Sequence, residues 1–131
     1  MMNDILWRQL LIRCRQILGE GASDPFLSSS WCAYTTFSSL EHGVYYFNSG
    51  FPAEEDCGVS GTADGSIWRQ SIAYADLAHI VIPAVFYWEK VGNGSFTSGY
   101  KKQDLGRLSA GLIQDGIQHR ITEKLLEIKL Y

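Results

Sequence analysis

The 131-residue sequence has no uninterrupted apolar run of the ~20 residues needed to cross a bilayer. Its longest, from Ile80 to Trp88, is strand-sized and contains Pro83. The start of the chain also has no apolar core of the kind a secretory signal requires. Asn3 and Asp4 are followed by apolar residues interrupted by Arg8, Arg13 and Arg15. A cytoplasmic protein is therefore expected. Cysteine is sparse and odd in number: Cys14, Cys32 and Cys57 form no CxxC pair, which excludes a disulfide framework and leaves no zinc-ligand spacing. Cys14 and Cys32 read as small buried hydrophobes, and Cys57, in a polar Gly-rich stretch, as an exposed thiol. The sequence has no GxSxG elbow, HExxH, P-loop or GxGxxG.

Basic charge is also short where a nucleic-acid binder would need it. The net charge is −3, and it is segregated. Residues 1 to 18 hold three Arg against one Asp, a balance of +2. Residues 19 to 76 hold one Arg against eight acids, −7, and residues 77 to 131 hold seven Lys or Arg against five acids, +2. No basic stripe is available to displace counterions from phosphates. An acidic middle suits docking onto a basic protein surface instead.

What is present is the composition of one globular domain: 46% hydrophobic, 19% charged and 13% aromatic residues in a chain too short for two cores. Leu6, Trp7, Leu10, Leu11, Cys14, Ile17 and Leu18 recur at helical spacing. Asn3 or Asp4 is placed to cap this helix and Gly19 to end it. Residues 20 to 30 read as a loop. Aromatic and β-branched residues then predict a hairpin over residues 30 to 48, turning at Glu41-His42-Gly43. A polar, breaker-rich stretch from Asn48 to Gly65 carries Glu54-Glu55-Asp56, and so long an irregular segment implies a use. Ser66 to Ser71 reads as a short strand, and Tyr74 to Leu77 as a turn. His79 to Trp88 reads as the central strand, where Pro83 demands a bulge, an edge or a break. Residues 90 to 102 (KVGNGSFTSGYKK) read as a flexible loop. Asp104 to Asp115 predicts a second helix with Leu105, Leu108, Leu112 and Ile113 on one face, ended by Gly116. Two strands follow, the last alternating Leu126, Ile128 and Leu130 with Glu127, Lys129 and Tyr131. The order favours an α+β fold with an antiparallel or mixed sheet of about five to six strands.

No catalytic residue, cofactor or metal ligand emerges from this pattern. His42, His79 and His119 are scattered, and a Cys57–His42 or Cys32–His119 pairing has only composition behind it. Glu54-Glu55-Asp56 lacks the alternating ligands and turn glycine of a calcium loop. The aromatics are the positive feature. Alternation sends Tyr45 and Phe47 to one side of a strand and Tyr46 to the other. Either a helix covers the second face, or an aromatic patch beside the acidic loop forms a binding surface. On the second alternative the partner-contacting residues are Glu54, Glu55, Asp56, Asp64, Tyr45 and Trp68.

The opening N-x-x-x-W-R-x-L (Asn3, Trp7, Arg8, Leu10) and the closing G-I-x-x-R-x-T…L-E-I-x-x-Y (Gly116, Ile117, Arg120, Thr122, Leu126, Glu127, Ile128, Tyr131) cover under a third of the chain. In these the sequence resembles the small bacterial immunity proteins of polymorphic and contact-dependent growth inhibition toxin systems. That resemblance implies a non-enzymatic protein, monomeric or homodimeric, that binds a cognate toxin domain and blocks it. The modest net charge departs from the strongly acidic members of that group. The competing expectations are a small enzyme using Cys57 or His119, and an adaptor that dimerises through a strand such as Leu125 to Tyr131.

Overall fold

The first helix, α1 (Asp4–Leu18), starts where the Asn3 side chain accepts the Leu6 N–H at 2.9 Å. In the computed structural model, which describes residues 1–131, it ends at Gly19 with φ +111°. Its buried stripe is Trp7, Leu10, Leu11, Ile12 and Cys14.

The fold is α+β. The remaining elements are β1 (Cys32–Thr36), α2 (Phe37–His42), β2 (Phe47–Ser49), β3 (Leu77–Pro83), β4 (Val85–Gly92), β5 (Ser95–Lys102), α3 (Leu105–Gln114), β6 (Arg120–Ile121) and β7 (Leu125–Lys129). Five strands form one antiparallel sheet in the order β2-β1-β3-β7-β6, and β4 and β5 form a separate two-stranded sheet. The inward residues of the large sheet, Tyr34, Ile80, Ile82, Leu126 and Ile128, join Trp7, Leu10, Leu11, Leu105, Leu108 and Leu112 in one core. Both long helices therefore serve one face of the sheet. Arg13 of α1 locks to Asp115 at the end of α3 with two charge-assisted bonds of 2.8 and 2.7 Å.

Several sequence expectations are corrected. The pairing expected over residues 30 to 48 exists, but β1 and β2 share three residue pairs and are joined by α2. Thr36 caps α2 by accepting the Ser39 N–H. His79 to Trp88 is not one strand: β3 starts at Leu77, and the chain leaves the large sheet after Pro83, so Pro83 marks a break. Ser66 to Ser71 is a turn rather than a strand, its bend fixed by Arg69 N–H to Ser66 carbonyl at 2.8 Å and by Arg69 at φ +67°. Ile113 and Leu130 are exposed, not core.

The largest correction concerns residues 90 to 102. They complete β4 and form β5, a hairpin with eight paired positions from Val85–Lys102 to Gly92–Ser95. Its two-residue turn is Asn93-Gly94, both at positive φ (+50° and +74°), the backbone that matches the right-handed twist of the strands. One face of this hairpin packs on the 25–31 segment. Phe86 stacks on Trp31 at 5.7 Å, Trp88 meets Phe26 at 5.1 Å, and Lys101 Nζ donates to the carbonyls of Pro25, Phe26 and Ser28. The Trp88 ring fills the space above Gly99, where a Cβ would sit 2.8 Å from it. The other face shows Val85, Tyr87, Val91, Phe96 and Tyr100 to the outside.

Candidate functional site

Strand alternation sends the residues between the core positions to the sheet face without helices: Thr35 on β1, His79 and Val81 on β3, Glu127 and Lys129 on β7. The register sets His79 opposite Lys129, Val81 opposite Glu127, and Glu127 opposite Arg120 of β6. These placements bring together side chains that are far apart in sequence.

His79, 8% exposed, is the hub. Its Nε2 lies 2.7 Å from Glu127 Oε1, and its Nδ1 lies 2.6 Å from the Tyr46 hydroxyl. Glu127 Oε2 accepts a second bond from Arg120 Nη1 at 3.0 Å. The Tyr46 and Tyr131 hydroxyls are 2.9 Å apart, both rings meet His79 edge-on, and Lys129 Nζ stands over the Tyr131 ring. The hydrogen bond from His79, helped by Arg120, holds the Glu127 carboxyl below its ordinary value. An ionised Glu127 only accepts, so Nε2 carries a hydrogen. In the neutral imidazole Nδ1 then accepts the Tyr46 proton, and the Tyr46 oxygen is left to accept from Tyr131. Burial, then the Tyr131 contact, pushes the Tyr46 phenol up to about 12, so it stays protonated.

Both ring nitrogens of His79 are engaged within the cluster, Nε2 with the Glu127 carboxylate and Nδ1 with the Tyr46 hydroxyl. The network fixes Tyr46, Tyr131 and Arg120, which are 36%, 55% and 74% exposed (the last figure for the side chain), at defined positions on the surface. Arg120, Glu127 and Tyr131 are also three of the residues quoted above for the closing motif, and they converge here with two residues that the motif does not include.

The residues expected from sequence to contact a partner are dispersed. Glu54, Glu55 and Asp56 form a 3₁₀ turn beside α1, where Arg8 Nε donates to the Cys57 carbonyl at 3.0 Å. The bond from Ala63 N–H to the Asp56 carbonyl places the exposed Asp64 turn next to it. None of these four acids forms an ion pair. Tyr45 and Trp68 lie at opposite ends of one aromatic column, Tyr45–Phe47–Tyr34–Trp68. Tyr45 is exposed, whereas Trp68 is 3% exposed, its ring 3.9 Å from that of Tyr34 and its Nε1–H donating to Gly50 O. Trp68 is thus a core residue, unavailable as a partner contact. The expectation of an exposed Cys57 is also corrected: it is 3% exposed, and burial pushes its thiol up to about 11.

The structure joins neither Cys57 to His42 nor Cys32 to His119. His42 Nδ1 bonds the Ser38 carbonyl, and His119 bonds Ser109 and the Ile117 carbonyl. No group of three His, Cys, Asp or Glu side chains is placed to hold a metal ion, and no helix is long and apolar enough to cross a membrane. His79, Tyr46, Glu127, Arg120 and Tyr131 escaped the sequence reading as a cluster. Their one sequence signal is the polar His79 of β3 and Glu127 and Lys129 of β7 at outward positions between aliphatic inward ones. No family model, no curated protein and no solved structure matches the chain.

Proposed function

We propose that this chain works by binding a protein, and that its binding surface is the helix-free face of the five-stranded sheet around Tyr46, Tyr131 and Arg120. In the immunity-type reading, the partner is a toxin domain whose active site or target access is blocked. The observation that carries the proposal is the His79-centred network. Tyr and Arg dominate interface energetics, and side chains already fixed before encounter lose less entropy when a partner arrives. A buried His–Glu pair that orders two exposed tyrosines and an arginine has the construction of such a surface. The acids at 54–56 and 64 stand outside this cluster and supply long-range attraction for a basic partner rather than its anchor.

The test is binding of a candidate toxin domain, encoded beside this chain's gene, to the wild type and to Tyr46→Ala, Tyr131→Ala and Arg120→Ala. Each substitution at an anchor is expected to weaken binding by about 10-fold or more, from the ~1–2 kcal/mol or more typical of such residues. Equal affinity for all four proteins would remove the sheet face as the binding surface. Failure of the wild type to bind or protect would remove the immunity reading.

A further inference from the structure

We propose that Ser109 and His119 form a nucleophilic pair that accepts an acyl group from small aliphatic esters, a site separate from the His79 network. α3 presents Ser109 at a position 9% exposed. The chain leaves the helix through Gly116 (φ +74°), and Ile117, 2% exposed, anchors the return with its N–H on the Leu112 carbonyl at 2.9 Å. This return brings His119 against Ser109, with Oγ 2.6 Å from Nε2. The opposite ring nitrogen, Nδ1, lies 2.9 Å from the Ile117 carbonyl. A carbonyl only accepts, so Nδ1 carries the hydrogen. In the neutral imidazole Nε2 is left as a bare lone pair facing the serine hydroxyl. Nucleophile, base and a group that orients the base are the three parts an activated serine requires.

Two further features distinguish this pair from the Tyr46–His79 pair. Ser109 and His119 line an open cavity of about 760 Å³ whose other walls are Ile113, Gly116, Ile117, Gln118 and Ile121. Ile113 and Ile121 are 70% and 43% exposed, an apolar lining suited to a short aliphatic acyl chain. The backbone N–H groups of Gln118 and His119 donate to no protein acceptor. They are the donors this loop has to offer to the oxygen of a tetrahedral intermediate.

In the proposed step, Oγ of Ser109 bonds to the ester carbonyl carbon while Nε2 of His119 takes the hydroxyl proton. The carbon–alkoxy bond then breaks, the departing alkoxide receives that proton from Nε2, and an alcohol leaves an acyl-Ser109 behind. Water next gives a proton to Nε2 as its oxygen attacks the acyl carbon. Release of the carboxylic acid returns the proton to Ser109.

The experiment treats the 131-residue chain with a fluorophosphonate, which phosphonylates activated serines with loss of fluoride, and locates the adduct by mass spectrometry while turnover of p-nitrophenyl butyrate is followed. The expected result is one adduct, on Ser109, formed in step with loss of turnover. His119→Gln should label at least ~100-fold more slowly, the usual worth of a general base. Ser109→Cys, which preserves the packing, should lose the phosphonate adduct and alkylate with iodoacetamide at residue 109. Absence of an adduct at Ser109 in the folded wild type, or labelling of His119→Gln at the wild-type rate, would overturn the proposal. Neither readout involves a protein partner, so it fails or stands independently of the binding surface.

Discussion

The side chain of Gln103 pairs with the backbone of Trp31 as a neighbouring strand would: its Oε1 accepts the Trp31 N–H at 2.9 Å, and its Nε2 donates to the Trp31 carbonyl at 2.9 Å. Nε2 also donates to the Pro83 carbonyl at 2.9 Å, and the Gln103 N–H donates to Ala84 O. The break that Pro83 makes between the two sheets is thus spanned by one amide.

Gln103 is 7% exposed, so Gln103→Ala leaves three backbone groups without these partners in a setting that water scarcely reaches. The expected loss is about 3 kcal/mol in unfolding free energy, at ~1–3 kcal/mol per buried group left unpaired. Gln103→Glu, which keeps the acceptor and turns the donor into a carboxylate oxygen facing two carbonyls, should be no better. Urea titration of both variants checks this, and a change under about 0.5 kcal/mol would contradict it.

Acid should weaken the fold through two carboxylates. Asp115 is held below its ordinary value chiefly by the hydrogen bonds from Arg13, and Glu127 by that from His79. A carboxyl depressed in the folded state stabilises fully above its unfolded value near ~4, and that contribution is lost as pH falls through the folded value. Melting temperature is therefore expected to fall as pH drops below about 4. In Asp115→Asn and Glu127→Gln the decline should be shallower, from a lower starting point at neutral pH. A decline in either variant as steep as the wild type's would show that these groups do not carry it.

Alkali should weaken the fold as well, through groups whose neutral form the fold favours. Burial raises the thiols of Cys14, Cys32 and Cys57, and the phenol of Tyr74 to about 12. Groups whose neutral form is favoured by the fold contribute stability that is intact below their unfolded values and is lost as pH rises toward the folded ones. Stability should start to fall above about pH 8.5, where unfolded thiols ionise. At pH 8 iodoacetamide should leave all three cysteines unmodified in the native protein and alkylate all three in guanidinium. Rapid native labelling of Cys57 would contradict its burial.

Local signals carried much of the architecture. Asn3 and Gly19 bracket α1 as their chemistry requires, and the leucine spacing of α3 names its buried side, except for Ile113, which lies just beyond the apolar stripe. Pro83, which lacks an N–H, left a bulge, an edge or a break open, and the structure shows the break. The β4–β5 hairpin was less legible: its Asn-Gly turn is a local signal, but exposed Thr, Ser and Gly around it disguise strands that are paired almost entirely in the open. The His79 cluster was illegible for another reason. Tyr46, His79 and Glu127 meet only through the β3–β7 register and the path of the chain after α2, and those are tertiary facts. Trp68 shows the converse, since a polar, glycine-rich neighbourhood conceals a fully packed ring.

The most direct measurement of the central claim is survival of cells that express the candidate toxin domain together with this chain or with its Tyr46→Ala/Tyr131→Ala variant, with folding of both verified by thermal melting. The account predicts growth with the wild type and loss of growth with the folded variant. Growth with both would take the sheet face out of the interaction, and death with both would contradict the immunity function itself.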